Sequence, residues 1–288
     1  MNKSFTLIEI LVVIVIVGIL SAFIIVSMSG VSSRANIAKS QAFANSLRNS
    51  LLMNLVSEWK LNGNADDAWG SNNGTLVGPT HLPVVKSGSD CVSGGCYQFD
   101  GTEDRIDFGN DSSLNFVDAI TIEAWIYPIT WSGSYPRIIV KETGTGVNSY
   151  ALYVNPSSIL TFVAGGSLSS VSTIPLNRWT HIVGTYNRNG GANNKKLYID
   201  GALNNKVTVT DAIVVTTYNV TMGNNSDNSR QFNGKIDEVR VYNESISAAG
   251  IRQSYYSGLN RLLAHNGFDA MEYSQMLGEL KTNSADNE

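Results

Sequence analysis

Ile120-Thr121-Ile122-Glu123-Ala124-Trp125-Ile126-Tyr127 alternates small or aliphatic residues with polar or aromatic ones at a period of two. Successive side chains of a strand point to opposite faces, so this spacing predicts a strand with two distinct faces. Ile120, Ile122, Ala124 and Ile126 would face a core, and Thr121, Glu123, Trp125 and Tyr127 the reverse side. Similar runs recur at 97–99, 137–141, 150–154, 159–164, 179–186, 196–199 and 235–242, with Gly and Asn between them. Asp100-Gly101 and Asp200-Gly201 carry hairpin-turn chemistry. Many short strands with almost no helix between them predict an all-β antiparallel sandwich, or jelly roll, over residues 56–258.

Both ends of the chain leave this pattern. Between Ile10 and Ser33 no residue is charged and Ile, Leu and Val dominate. Roughly 20 apolar residues rising about 1.5 Å each suffice to cross a bilayer, so the first half of a long N-terminal α-helix is expected to span the membrane. Beyond it Leu47, Leu51 and Leu55 recur at i, i+4 and i+8, which extends an amphipathic helix through residue 55. Residues 259–288 read as a short helical tail that frays from Lys281 onward. Glu9 stands at the edge of the apolar run without a nearby cation. A lone carboxylate in that position costs about 2.5–3.5 kcal/mol on insertion scales, so a partner is expected. A cleaved secretory signal and a simple single-span anchor are the competing readings of this segment.

The leader Met1–Ser4 followed by Phe5-Thr-Leu-Ile-Glu9 and the long apolar run resembles the type IV pilins and pseudopilins. That resemblance implies a prepilin: a prepilin peptidase cuts between Ser4 and Phe5 and methylates the new amine. It also implies that Glu9 pairs with the Phe5 amine of a neighbouring pilin subunit during assembly through the N-terminal helix. The expected location is the cytoplasmic membrane for the precursor and an extracellular filament or cell surface for the mature chain. In such an exported protein Cys91 and Cys96 are expected to close a small disulfide loop, since two thiols alone make half a zinc site. With 15% charged residues, a net charge of -4 and no basic block, the chain has no electrostatic footprint for nucleic acid.

Tyr97-Gln-Phe-Asp-Gly101, Ile122-Glu-Ala-Trp-Ile-Tyr127, Trp179-Thr-His-Ile-Val-Gly-Thr-Tyr186, Leu197-Tyr-Ile-Asp-Gly201 and Gly234-Lys-Ile-Asp-Glu-Val-Arg-Val-Tyr242 resemble, in order, the laminin G-like, concanavalin A-like lectin/glucanase domains. The resemblance implies a structural Ca²⁺ shared by an Asp in an early loop and an Asp in the last core strand. Here those are Asp67 and Asp237, with Asn72 or Asn73 nearby in a loop dense in oxygen ligands. The alternative is that these residues only build turns.

A glucanase-type hydrolase needs two carboxylates a short distance apart on one strand face, and no Glu-x-Asp-x-Glu run exists. Asp237 and Glu238 are adjacent and are expected to point to opposite faces. His81, His181 and His265 are far apart with no nucleophile motif beside them, so no catalysis is expected. Trp69, Trp131 and Tyr135 are candidate sugar-stacking aromatics, beside the polar loop Asn224, Asn225, Asp227, Asn228 and Arg230; Trp125 and Trp179 read as core. The resulting expectation is a non-enzymatic pilin-like subunit displaying a lectin-like domain for adhesion, through a glycan or a surface protein. The alternatives are a pseudopilin of a type II secretion or DNA-uptake machine and a membrane-tethered glycan hydrolase.

Overall fold

The computed structural model describes residues 52–131, 135–142 and 148–265, with positions 7, 8, 11, 14 and 46 before them and 267, 269, 271–276 and 278 after. The chain divides into two compact units, Met1–Ser50 and Leu51–Glu288. In the first unit Leu7, Ile8, Leu11 and Ile14 are helical and expose their side chains. Ser4, Phe5, Glu9 and most of the expected membrane span lie outside the described residues. Among the described residues no helix is long and apolar enough to cross a membrane.

The second unit is a sandwich of antiparallel strands followed by a helix. In chain order the strands are β1 (Leu55–Trp59), β2 (Thr75–Val77), β3 (Val84–Ser87), β4 (Gly95–Asp100), β5 (Arg105–Asp107), β6 (Ala119–Thr130), β7 (Arg137–Glu142) and β8 (Asn148–Val154). They continue with β9 (Ile159–Ala164), β10 (Ser167–Thr173), β11 (Thr180–Asn187), β12 (Lys195–Ile199), β13 (Ala202–Val207), β14 (Val220–Met222) and β15 (Asn233–Tyr242), and then helix α1 (Ala248–Ala264). One sheet runs β13-β12-β11-β6-β15-β4-β3 with β1 also paired to β15; the other runs β10-β9-β8-β7-β14-β5-β2.

The alternation in 120–127 resolves as expected. Ile120, Ile122, Ala124 and Ile126 are fully buried between the sheets with Trp59, Phe99, Phe162 and Phe232. Trp125 faces the other way, in a second cluster with Trp179, Tyr255, Leu259 and Leu262. Helix α1 supplies Tyr255, Leu259 and Leu262, and it begins at Ala248, ahead of the tail boundary expected at 259. Ser247 Oγ caps it by accepting from Gly250 N at 3.2 Å. Tyr255 stacks on Trp125 with centroids 5.7 Å apart and planes 10° from parallel. Gly258 permits this approach, because a Cβ there would stand 2.3 Å from the Trp125 ring.

Three local expectations change. Leu55 does not continue the helical stripe; it opens β1 and pairs with Tyr242, so the sheet captures it. Asp200-Gly201, at φ 50° and 75°, does make the tight turn joining β12 to β13. Asp100-Gly101 is not a hairpin, because β4 and β5 on either side of it belong to different sheets.

Candidate ligand-binding site

The four residues expected around calcium are each committed elsewhere. Asp67 Oδ1 accepts from the backbone N–H groups of Glu58 (3.0 Å), Trp69 (3.0 Å) and Gly70 (2.9 Å), and Oδ2 from that of Asn72 (3.1 Å). Burial opposes ionisation of Asp67, but these four donors outweigh it and hold its pKa below the usual carboxylate value. Asn73 Oδ1 accepts from Asp67 N, and Asn72 donates to Ser57 Oγ and Ser113 Oγ. Asp237 lies in a different setting. Its Oδ2 accepts from Val92 N (2.8 Å) and Ser93 N (3.0 Å), inside the loop closed by the Cys91–Cys96 disulfide. The two aspartates share no partner, and among the described residues no group of three or more His, Cys, Asp or Glu could hold a metal. This donor set fits the anchoring of two loops and does not fit a shared calcium ion.

Asp237 and Glu238 do not point to opposite faces. Glu238 sits at φ 50°, and the pairing of β15 with β6 shifts register between Asp237 and Arg240. This bulge turns both carboxylates to the α1 side, where each meets partners on that face. Glu238 pairs with Arg240 and, at 2.7 Å, with Arg261 of α1; Arg240 also reaches Glu58 at 2.8 Å and Glu123 at 3.1 Å. His181 Nε2 lies 3.2 Å from Glu123 Oε1, at ion-pair distance but outside hydrogen-bond alignment. Burial opposes charge on Glu123, yet His181 and Arg240 prevail and its pKa is lowered. Burial, and next the charge of Glu238, push Asp237 well above the ordinary value. Glu123, His181, Asp237 and Glu238 are all buried. The cluster has the acids of a catalytic site without access to it, and its geometry ties α1 to the sheet.

The aromatic candidates separate. Trp69 is half exposed in the Asp67 loop. Trp131 packs on the core against Phe232, centroids 6.2 Å apart, with its indole N–H buried and without a partner. Tyr135 remains exposed and is the centre of a cluster at one end of the second sheet. Its ring meets Tyr153 of β8 edge-on at 5.9 Å. Arg230 lies over the Tyr135 ring at 5.4 Å and Arg137 over the Tyr153 ring at 4.5 Å.

Backbone pairing explains this convergence. Arg137 N donates to Arg230 O at 2.9 Å, which lays the polar loop between β14 and β15 along the start of β7. Within that loop Asn224 Oδ1 accepts from Asn225 N and Arg230 N, and Asn225 Oδ1 from Ser229 N. Asn228 Oδ1 accepts from Arg105 Nη1 of β5 at 2.6 Å. Arg137 pairs with Glu142 at the far end of its own strand and donates to Tyr135 O at 3.1 Å. Burial raises the Glu142 pKa, with Arg137 and Arg230 acting against the shift. Glu142 Oε2 is buried without a hydrogen-bond partner. The result is an exposed Tyr135 ring with Arg230 over one face and Tyr153 and the buried Arg137 beside it, suited to the C–H groups and polar edge of a small polar ligand. Tyr153, Arg137 and Glu142 were absent from the sequence-based set. For Arg137 and Glu142 the one signal was charge at the two ends of the apolar run Ile138-Ile139-Val140.

Residues 1–25 match the prokaryotic N-terminal methylation motif. Among curated proteins, none matches the chain in sequence. Similar solved structures share the fold at low identity. Domain 4 of AbnA, an extracellular arabinanase from Geobacillus stearothermophilus, in complex with arabinotriose, has a TM-score of 0.55 at 17% identity, covering 69% of this chain and 97% of that one. The ligand-binding domain of botulinum neurotoxin serotype D, in complex with N-acetylneuraminic acid, has a TM-score of 0.56 at 17% identity, covering 74% of this chain and 53% of that one. A Trypanosoma rangeli sialidase has a TM-score of 0.51 at 13% identity, covering 71% of this chain but only 33% of the enzyme. Residues 100–252, more than half of the sequence, match the family itself. Its buried strand faces, its two-sheet topology and this match agree, and the chain belongs to the concanavalin A-like lectin/glucanases superfamily.

Proposed function

We propose that the protein is a non-enzymatic, pilin-like subunit of a surface filament that displays its lectin-like sandwich for attachment to a glycan. One observation carries this reading: a methylation motif and a lectin-like domain occupy a single chain. The motif supports cleavage by a prepilin peptidase between Ser4 and Phe5, passage through the cytoplasmic membrane, and packing against other pilin subunits through the N-terminal helix. Glu9 then pairs with a neighbour's Phe5 amine. The sandwich supports glycan contact at the Tyr135–Tyr153–Arg230 platform, and two neighbours of similar fold hold an arabinotriose and an N-acetylneuraminic acid. The carboxylates best grouped for hydrolysis are buried under α1, which favours binding over turnover.

Mass spectrometry of the N-terminal peptide from the native host tests the filament part. A chain starting at methylated Phe5 supports it, and an intact Met1 or a cut near Ala22 refutes it. Glycan-array binding by the full chain in detergent tests the lectin part. Arg230→Ala and Tyr135→Ala are expected to abolish the strongest signals.

A further inference from the structure

A groove of about 290 Å³ lies on the α1 side of the first sheet, away from Tyr135 and its neighbours in sequence and sheet. Tyr127 at the end of β6 and Asn177, Arg178 and Trp179 ahead of β11 line one side; Glu272 and Met276 of the helical segment 271–276 line the other. Its volume is at the lower end for ligand sites, about 300–1,000 Å³, which suits a ligand of one ring. Tyr127 and Trp179 meet edge to face with centroids 5.7 Å apart. Lys235 Nζ stands over one face of the Tyr127 ring, 4.7 Å from its centre, and pairs with Asp90 at 2.8 Å.

The polar groups in the groove are mixed in kind. Arg178 is paired with Asp200 at 2.7 Å, so its charge is already balanced. Glu272 Oε2 accepts from Asp269 N at 3.0 Å, capping the helical segment, and the other carboxylate oxygen is left for a ligand. Asn177 is exposed, held at φ 56° with its backbone N–H on Pro128 O, and its side-chain amide offers one donor pair and one acceptor. Hydroxyl groups are both donors and acceptors, and this is the chemistry that a carboxylate beside an amide satisfies. An anionic ligand would face Glu272 with no unbalanced cation, and a purely apolar one would strand the carboxylate and the amide.

We infer that this groove is a second ligand site, one that takes a single neutral pyranose ring, its C–H groups against the half-buried Tyr127 with Trp179 packed behind it, and its hydroxyls on Glu272 and Asn177. The inference extends the glycan-binding reading to a separate place on the same domain. The test uses the full chain in detergent with methyl α-glucopyranoside, methyl α-mannopyranoside and methyl β-galactopyranoside as probes, read by saturation-transfer NMR and tryptophan fluorescence titration.

At least one methyl pyranoside should bind saturably, and Glu272→Gln and Asn177→Gly should each weaken it about tenfold, the scale of one lost hydrogen bond to a charged or well-placed group. Gln at 272 still accepts from Asp269 N and Gly at 177 adopts the positive φ without strain, so the variants keep their thermal transition. Val171→Ala, an exposed position on β10 outside both sites, should leave pyranoside binding unchanged. Absence of saturable binding by all three probes overturns the groove assignment. So does binding that is insensitive to Glu272→Gln and Asn177→Gly, or binding lost only in the Tyr135→Ala and Arg230→Ala variants, an outcome that would still leave the platform reading intact. N-terminal processing is unaffected by either result.

Discussion

Replacing Asp67 by Ala removes the acceptor of four backbone N–H groups at once. Two of those donors, on Trp69 and Gly70, belong to exposed residues and can turn to water. That on Asn72 is buried, where Asn72 also receives the Trp59 indole N–H on its carbonyl at 2.7 Å, and that on Glu58 is half-buried in β1. A buried donor left unmet costs about 1–3 kcal/mol, and with the half-buried Glu58 donor adding less than a full share the working value is about 3 kcal/mol. For a folded unit of this size each kcal/mol moves the melting temperature by roughly 2–4 °C, so Asp67→Ala should melt about 6–12 °C lower. The depressed pKa fixes the sign with pH. The carboxylate's contribution is present above its unfolded value, near 3.9, and is lost as pH falls through the lower folded value. The difference between wild type and variant should therefore shrink in strong acid. Calorimetry at pH 7 and pH 3, each with calcium and with EDTA, is the assay. A variant melting within a degree of wild type would refute the anchoring argument. A wild-type transition that rises with calcium, in a way Asp67→Ala abolishes, would replace it with the ion.

Asp104 is buried, its two oxygens accept from Asp100 N, and burial followed by the nearby Asp100 charge raises its pKa to about 7. The folded state holds this proton where the unfolded state has released it, so stability falls between about pH 4 and pH 7, by about 4 kcal/mol in all. Urea unfolding at pH 4 and pH 8 should show Asp104→Asn gaining on wild type only at the higher pH; an equal difference at both would count against it. Gly258→Ala should cost about 1–2 kcal/mol, because the close contact with Trp125 outweighs the helix preference of Ala, and tryptophan fluorescence should report a loosened α1. Opening the Cys91–Cys96 disulfide should cost about 2 kcal/mol, the entropy of so short a loop, as measured by denaturation with and without reductant. Glu9→Ala should leave membrane insertion unharmed and reduce filament yield, since its partner is met only on assembly; normal filaments from the variant would sink that role.

Much of the fold was legible in the sequence because the signals involved are local. The alternation over 120–127 sorts side chains to two faces by strand geometry alone, and Ile120, Ile122, Ala124 and Ile126 lie where it puts them. Trp125 in β6 and Trp179, one residue ahead of β11, are buried, His181 is packed, and Cys91 and Cys96 are bonded. The methylation motif is likewise a short contiguous pattern.

The candidate sites were less legible. Tyr135 was picked out as a loop aromatic, but nothing in its own neighbourhood of sequence announces Tyr153 beneath Arg137, or Arg230 arriving from far along the chain. Trp131 has the same local signature as Tyr135 and packs into the core instead. Asp67 and Asp237 carry side chains that suit calcium, and which oxygens remain free depends on which amides the fold brings to them. Val92 and Asp237 are 145 positions apart, a contact no local pattern encodes.

What the sequence determined by itself was the class of the chain: an apolar N-terminal segment with its processing motif, strand faces set by period-two alternation, and a disulfide between near neighbours. The tertiary structure alone decided the rest. The register shift at Glu238 puts two adjacent acids on one face, the crossing after Asp100 sends the chain to the other sheet, and α1 closes over the Glu123–Arg240 cluster. Each of these is settled by packing and hydrogen bonding between residues distant in sequence, where a shift of one residue in strand pairing reverses which side chains meet.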